Sequence, residues 1–142
     1  MKMLVAVDGS DPARRAIATV AKLAPQIIGG LQVVLLHVGL PTVYYGELPP
    51  YDMGALEEAQ RQQRERVLAD ALADARAAGQ GEAATLSAVG EPAAEILRVA
   101  AEQGVDQIVM GTHGRGALGT LFIGSVAQRV LHGAKVPVLL VH

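Results

Sequence analysis

Short aliphatic runs alternate with longer amphipathic ones along the whole chain, and this alternation limits the fold more than any other feature. The aliphatic runs are Met3–Val7, Leu31–Val38, Thr85–Val89, Val105–Met110 and Val136–Val141. Each is the length of a buried strand, and turn residues bound most of them. Between them lie helical stretches. The first opens at Asp11-Pro12, an N-cap with proline at the first helical position, and runs to about Ile28 before Gly29-Gly30. It carries Ile17, Val20, Ala21 and Ala24 on one face; Pro25 lies inside it and kinks or ends it. The second, Ala55–Ala78, has an apolar stripe of Leu56, Ala59, Val67, Ala71, Leu72 and Ala75, and a Glu57–Arg61 pair at i,i+4 spacing; Gly79 and Gly81 follow it. The third is Pro92–Gln103, stopped by Gly104, and the last runs from about Ser125 to His132, stopped by Gly133. A β-α-β-α-β-α-β-α-β order predicts an α/β fold: an open five-stranded parallel sheet with helices on both faces and right-handed crossovers.

With 142 residues, the chain predicts one domain spanning 1–142. Hydrophobic residues make up 51% but aromatics only 3%, so the core has to be built from Ala, Val, Leu and Ile. There is no cysteine, which excludes disulfides and thiolate metal sites. The four histidines share no metal-ligand spacing. No apolar run approaches a membrane span, and Met1-Lys2-Met3-Leu4 enters the first strand directly. A cytoplasmic protein without a membrane partner is predicted. The run from Gln60 to Arg66 contains Glu65 and no aromatic residue, so it reads as a solvated helix face and not as a nucleic-acid patch. Gly39–Gly54 predicts a long loop holding Pro41, Pro49, Pro50 and all three tyrosines, Tyr44, Tyr45 and Tyr51: either a lid over a ligand or a surface loop.

The chemistry concentrates after the fourth strand. Gly111, Gly114, Gly116, Gly119 and Gly124 crowd one strand-to-helix connection. Each glycine costs backbone entropy and contributes no side chain, so packing alone explains them poorly. A glycine-rich loop lets backbone N–H groups approach an anion, and the N-terminus of the helix opening at Ser125 adds partial positive charge. After Asp106 the chain has Arg115, Arg129 and Lys135 but no Asp or Glu, which suits a phosphorylated ligand. A P-loop is excluded, because Ala117 or Thr120 stands where its lysine must be. The dinucleotide fingerprint matches Gly114-Arg115-Gly116-Ala117-Leu118-Gly119 only superficially, since one strand remains and no acid follows to hold a ribose.

A third pattern fits: Gly111, two residues, Gly114, nine residues, then Gly124-Ser125. It resembles the nucleotide loop of the universal stress protein family, in its ATP-binding branch. Val5-Ala6-Val7-Asp8-Gly9-Ser10, Leu35-Leu36-His37-Val38, Gly90-Glu91-Pro92 with Ile96, Asp106–Gly111 and Val136–Val141 resemble further segments of that family, in the same order. The resemblance implies strand order 3-2-1-4-5, with a switch point between strands 1 and 4 where Asp8 and the glycine loop converge. It also implies a binding set of Val7, Asp8, Val38, Met110, Gly111, His113, Gly114, Arg115, Gly124, Ser125 and Val126, with no catalytic and no metal-ligating residue. Beside these implications stand local alternatives. Asp8 contacts nucleotide or metal, or forms an Asx turn at Gly9-Ser10. Val38 lines the adenine, the core, or both. Ser125 gives its hydroxyl to a phosphate or N-caps the last helix. Arg115 clamps a phosphate or lies in solvent. A side chain at Gly114 would block backbone approach and disfavour a positive φ.

The function implied is an ATP-binding universal stress protein acting as a stress-response regulatory or signalling module, with Mg or Mn carried on the phosphates and a protein partner the sequence does not name. The alternatives are a slow ATP hydrolase or phosphotransferase, for which Asp8 alone is a candidate base or metal ligand, and an interaction protein that binds AMP or no nucleotide. In the implied order strand 5 is an edge. Val138-Leu139-Leu140-Val141 is uniformly apolar and has no lysine or glycine. Such an edge invites pairing, and the resemblance likewise implies a homodimer through this strand.

Overall fold

The computed structural model describes residues 1–41, 50–114 and 123–142. Its strands are β1 (Lys2–Ala6), β2 (Gln32–Gly39), β3 (Ala83–Val89), β4 (Gln107–Gly111) and β5 (Val138–Val141). The helices are α1 (Asp11–Leu23), α2 (Pro50–Ala77), α3 (Pro92–Gln103) and α4 (Ser125–Gly133). The strands form one five-stranded sheet in the order β3-β2-β1-β4-β5, with every pairing parallel. β1 is central: Val5 stands opposite Leu35 on one side and Val109 on the other.

The period-two pattern of the strands divides the core in two. Met3, Val5, Val7, Val33, Leu35 and Val109 face α1 and α2, where Ala16, Ile17, Val20, Val67, Ala71 and Ala75 meet them. Leu4, Leu36, Ile108 and Met110 face α3 and α4, against Ile96, Val99, Ala127 and Val130. Helices on both faces explain why the middles of the central strands are apolar on both sides.

Element boundaries depart from the sequence expectations for identifiable reasons. The N-cap of α1 is Ser10, whose hydroxyl accepts from the Ala13 N–H; Asp11 is already helical. α1 ends at Leu23, and the chain continues for one 3-10 turn, Ala24–Gln26, because Pro25 has no N–H to offer the helix ladder. β4 begins at Gln107 and not at Val105, whose N–H is spent on the Ala100 carbonyl at the end of α3; the Asp106 N–H makes the first bond to β1, at the Lys2 carbonyl. β5 begins at Val138, after Pro137, which cannot donate to the ladder. α2 begins at Pro50, a residue the first turn tolerates, and runs through Gly54, so the Gly39–Gly54 loop is shorter than expected. Tyr44, Tyr45 and any lid over 42–49 lie outside the described residues. In the first turns of α2, Leu56 and Ala59 are exposed, so the buried stripe is Val67, Ala71 and Ala75. Arg61 pairs with Glu58 and Glu65 and not with Glu57.

α3 closes on Gly104 at φ 58°, where an added Cβ would meet nothing within 4 Å. Gly104→Ala therefore isolates the backbone cost of the left-handed conformation. It should lower stability by about 1–2 kcal/mol in urea unfolding, with an unchanged m-value.

Candidate functional site

β1 hands its chain to α1 on one face of the sheet, and β4 leads to α4 on the other. Their carboxyl ends therefore part, and a cavity of about 420 Å³ opens between them. Val7, Asp8, Val38, Met110, Gly111, His113, Gly114, Gly124, Ser125 and Val126 all line it. Arg115, and with it Gly116 and Gly119, lies outside the described residues.

Asp8 follows the end of β1 by two residues and forms an Asx turn. Its Oδ1 accepts the Ser10 N–H at 2.9 Å, across Gly9 at φ 78°. The other oxygen crosses to the far wall, since a Cβ on Gly114 would stand 2.6 Å from Asp8 Oδ2. Gly114 is not at positive φ, contrary to expectation; the carboxylate's close approach is what leaves no room for a side chain. Gly111 has a comparable role. A Cβ there would lie 2.6 Å from Pro12 Cβ and 3.1 Å from its carbonyl carbon, so the bare backbone lets α1 start beside the end of β4.

The two ends of the glycine loop are tied together. The Gly124 N–H donates to the Thr112 carbonyl at 2.7 Å, and the Thr112 N–H donates to the Val141 carbonyl at 2.9 Å. The Thr112 hydroxyl lies 3.0 Å from His113 Nδ1 and 3.3 Å from His142 Nδ1, with the two rings tilted 5.7 Å apart.

Three helices begin beside the cavity, and their N-termini differ. Ser10 caps α1. Glu91 caps α3 by accepting the Ala94 N–H at 2.8 Å, and also pairs with Arg129 at 2.8 Å; the Ala94 bond, helped by the Ala93 N–H and Arg129, holds its carboxyl below the ordinary range. α4 begins after Gly124, with no side-chain cap. Ser125 is thus the first helical residue and not the cap, and the leading N–H groups of α4 keep their capacity for an anion. No group of three or more His, Cys, Asp or Glu among the described residues could hold a metal ion. No helix there is long and apolar enough to cross a membrane.

A family model for the universal stress protein family matches residues 1–142. The chain belongs to the universal stress protein family. A universal stress protein of Thermus aquaticus is 41% identical over 140 residues, covering 98% of this chain and 96% of the relative. One from Bacillus subtilis is 34% identical over 147 residues, covering 99% and 97%. Among solved structures, the universal stress protein from Archaeoglobus fulgidus in complex with dAMP superimposes with a TM-score of 0.67 at 27% identity, covering 100% of this chain and 98% of that one.

In this universal stress protein the cavity also takes in Ser10, Ala13, His37, Pro92 and Ile96, which sequence reasoning did not assign. Ser10 was signalled by its Asp-Gly-Ser turn, and His37 by being a polar side chain within an aliphatic strand. Pro92 and Ile96 belonged to a segment that carries the family resemblance, but neither was assigned to the cavity. Gly111→Ala should destabilise the fold by about 1–3 kcal/mol in urea unfolding, because its Cβ meets backbone that cannot yield easily.

Proposed function

We propose that the chain binds an adenine nucleotide, ATP with Mg or Mn carried on its phosphates, in the cavity between the ends of β1 and β4. The observation that carries this reading is the uncapped N-terminus of α4, aimed at a cavity that the other helices approach with capped ends. Bare N–H groups and a helix dipole suit the phosphates. Val7, Val38, Ile96 and Met110 give the rest of the cavity apolar wall for a base, and its volume is within the usual range for small-ligand sites. The dAMP complex of the Archaeoglobus relative supports an adenine nucleotide as the class of ligand. In this reading Asp8 and Gly114 set the width of the cavity where sugar and phosphates pass, and Ser125 adds its hydroxyl to the phosphate end.

The proposed role is regulatory: one cytoplasmic domain, residues 1–142, that signals nucleotide occupancy to a protein partner. Asp8 is the one described carboxylate lining the cavity, and its Oδ1 is held in the Asx turn, which leaves little for base catalysis. Hydrolysis by the purified protein should fall below about 1 per second.

Equilibrium dialysis should show retention of Mg·ATP at or below millimolar concentration, and Gly114→Val should abolish it with circular dichroism unaltered. No retention by the wild type, or full retention by the variant, would contradict the assignment.

The same reading includes a homodimer. β5 forms one edge of the sheet, and all four of its residues are only partly buried. A second copy related by a two-fold axis would cover that edge with itself. Light scattering should give about twice the 14.7 kDa chain mass, and Leu139→Pro should yield monomer or aggregate.

A further inference from the structure

Thr112, the first residue after β4, ties the proposed nucleotide cavity to the sheet edge at β5. Its carbonyl accepts the Gly124 N–H where α4 begins, and its N–H donates to the carbonyl of Val141, the last residue of β5. These two backbone bonds hold its hydroxyl between two imidazoles. His113 lines the cavity; His142 follows β5, and its carbonyl accepts from Arg15 Nε of α1 at 2.9 Å. Nδ1 of His113 lies 3.0 Å from the Thr112 hydroxyl oxygen, and Nδ1 of His142 lies 3.3 Å from it.

The hydroxyl has one proton to give, so the two rings are not set independently. A lone pair on Nδ1 of one ring takes that proton, and the other ring must then donate through its own Nδ1–H. The hydroxyl therefore has two ways to donate, toward His113 or toward His142. A ligand that fixes the tautomer or charge of His113 biases the role of His142, at the end of the edge strand. We infer that the Thr112 hydroxyl couples occupancy of the cavity to pairing of the β5 edge, so that nucleotide binding and association of two copies of the chain strengthen each other. The sign follows from ordering. A ligand against α4 and His113 restricts Thr112, and Thr112 restricts Val141 and His142. An edge whose end is already ordered loses less conformational freedom when a second copy pairs with it. The inference rests on the nucleotide and homodimer readings above and adds the link between them.

Sedimentation velocity over a dilution series that spans dissociation, with and without saturating Mg·ATP, tests it. The wild-type dimer dissociation constant should fall at least about fivefold with ATP. By reciprocity, the dissociation constant for ATP should fall by the same factor between monomer and dimer. Thr112→Val keeps both backbone bonds and the outline of the side chain but has no hydroxyl. It should still bind ATP and dimerise, with the effect of ATP on the dimer reduced to within about twofold. Thr112→Ser restores the hydroxyl and should restore the effect. A wild-type dimer whose dissociation constant ATP does not change overturns the proposal. So does a Thr112→Val protein that responds to ATP as the wild type does. If Thr112→Val does not fold, His142→Ala decides, because it removes the second ring: an undiminished ATP effect there counts against the proposal, and its loss supports it. A wild type that binds no ATP, or forms no dimer, overturns the broader reading instead.

Discussion

Strand β1 is hydrogen-bonded in parallel on both sides, and the rest of the structure depends on that pairing. β2 lies at one flank and β4 at the other. Because crossovers are right-handed, the chain must leave β1 and β4 toward opposite faces. The ends of these neighbours then cannot be bridged by sheet hydrogen bonds, and a cavity forms where they part. The same pairing buries the middle of β1: Leu4 and Val5 are each 0% exposed, one on each face. The hydrophobic core and the cavity thus have one origin.

What shapes the cavity is the closeness of backbones around it. Pro12 meets Gly111, the Asp8 carboxylate meets Gly114, and Thr112 and His113 meet Gly124. None of these three glycines is at positive φ. Their common property is the missing Cβ, which allows two strand ends and two helix starts to share a small volume. Structural roles and the ligand-binding roles proposed above therefore coincide at these positions. A side chain at Gly111 disturbs the fold first, whereas one at Gly114 meets only the end of a side chain and disturbs the cavity first.

The alternation of elements and the two-sided core were legible in short apolar runs and helix-period stripes, which are local signals. The sheet order and ten of the residues around the cavity came from the resemblance to the universal stress protein family, carried by the glycine spacing and the matched segments. Departures came where a local rule met a tertiary one. Gly54 suggested a helix boundary, yet α2 runs through it from Pro50. Asp11 is a good N-cap by type, but the turn made by Asp8 puts Ser10 in that position. Ser125 has the chemistry of a cap, but the bond from the Gly124 N–H to Thr112 makes Gly124 the boundary residue. His37 stands in a segment that carries the family resemblance, but its partner is Val7, 30 residues away, and no spacing rule relates the two.

The central claim is that nucleotide occupies the cavity at the end of β1, with its phosphates on α4. Amide NMR shifts during titration with Mg·ATP test this most directly, because every element around the cavity contributes backbone N–H groups. The account predicts saturable shifts concentrated at Asp8, Val38, Gly111–Gly114 and Gly124–Ala127, with little change at the far ends of the strands, such as Lys2, Gln32 and Gln107. Saturable shifts confined to residues away from the cavity, or no shifts at millimolar ATP, would contradict it.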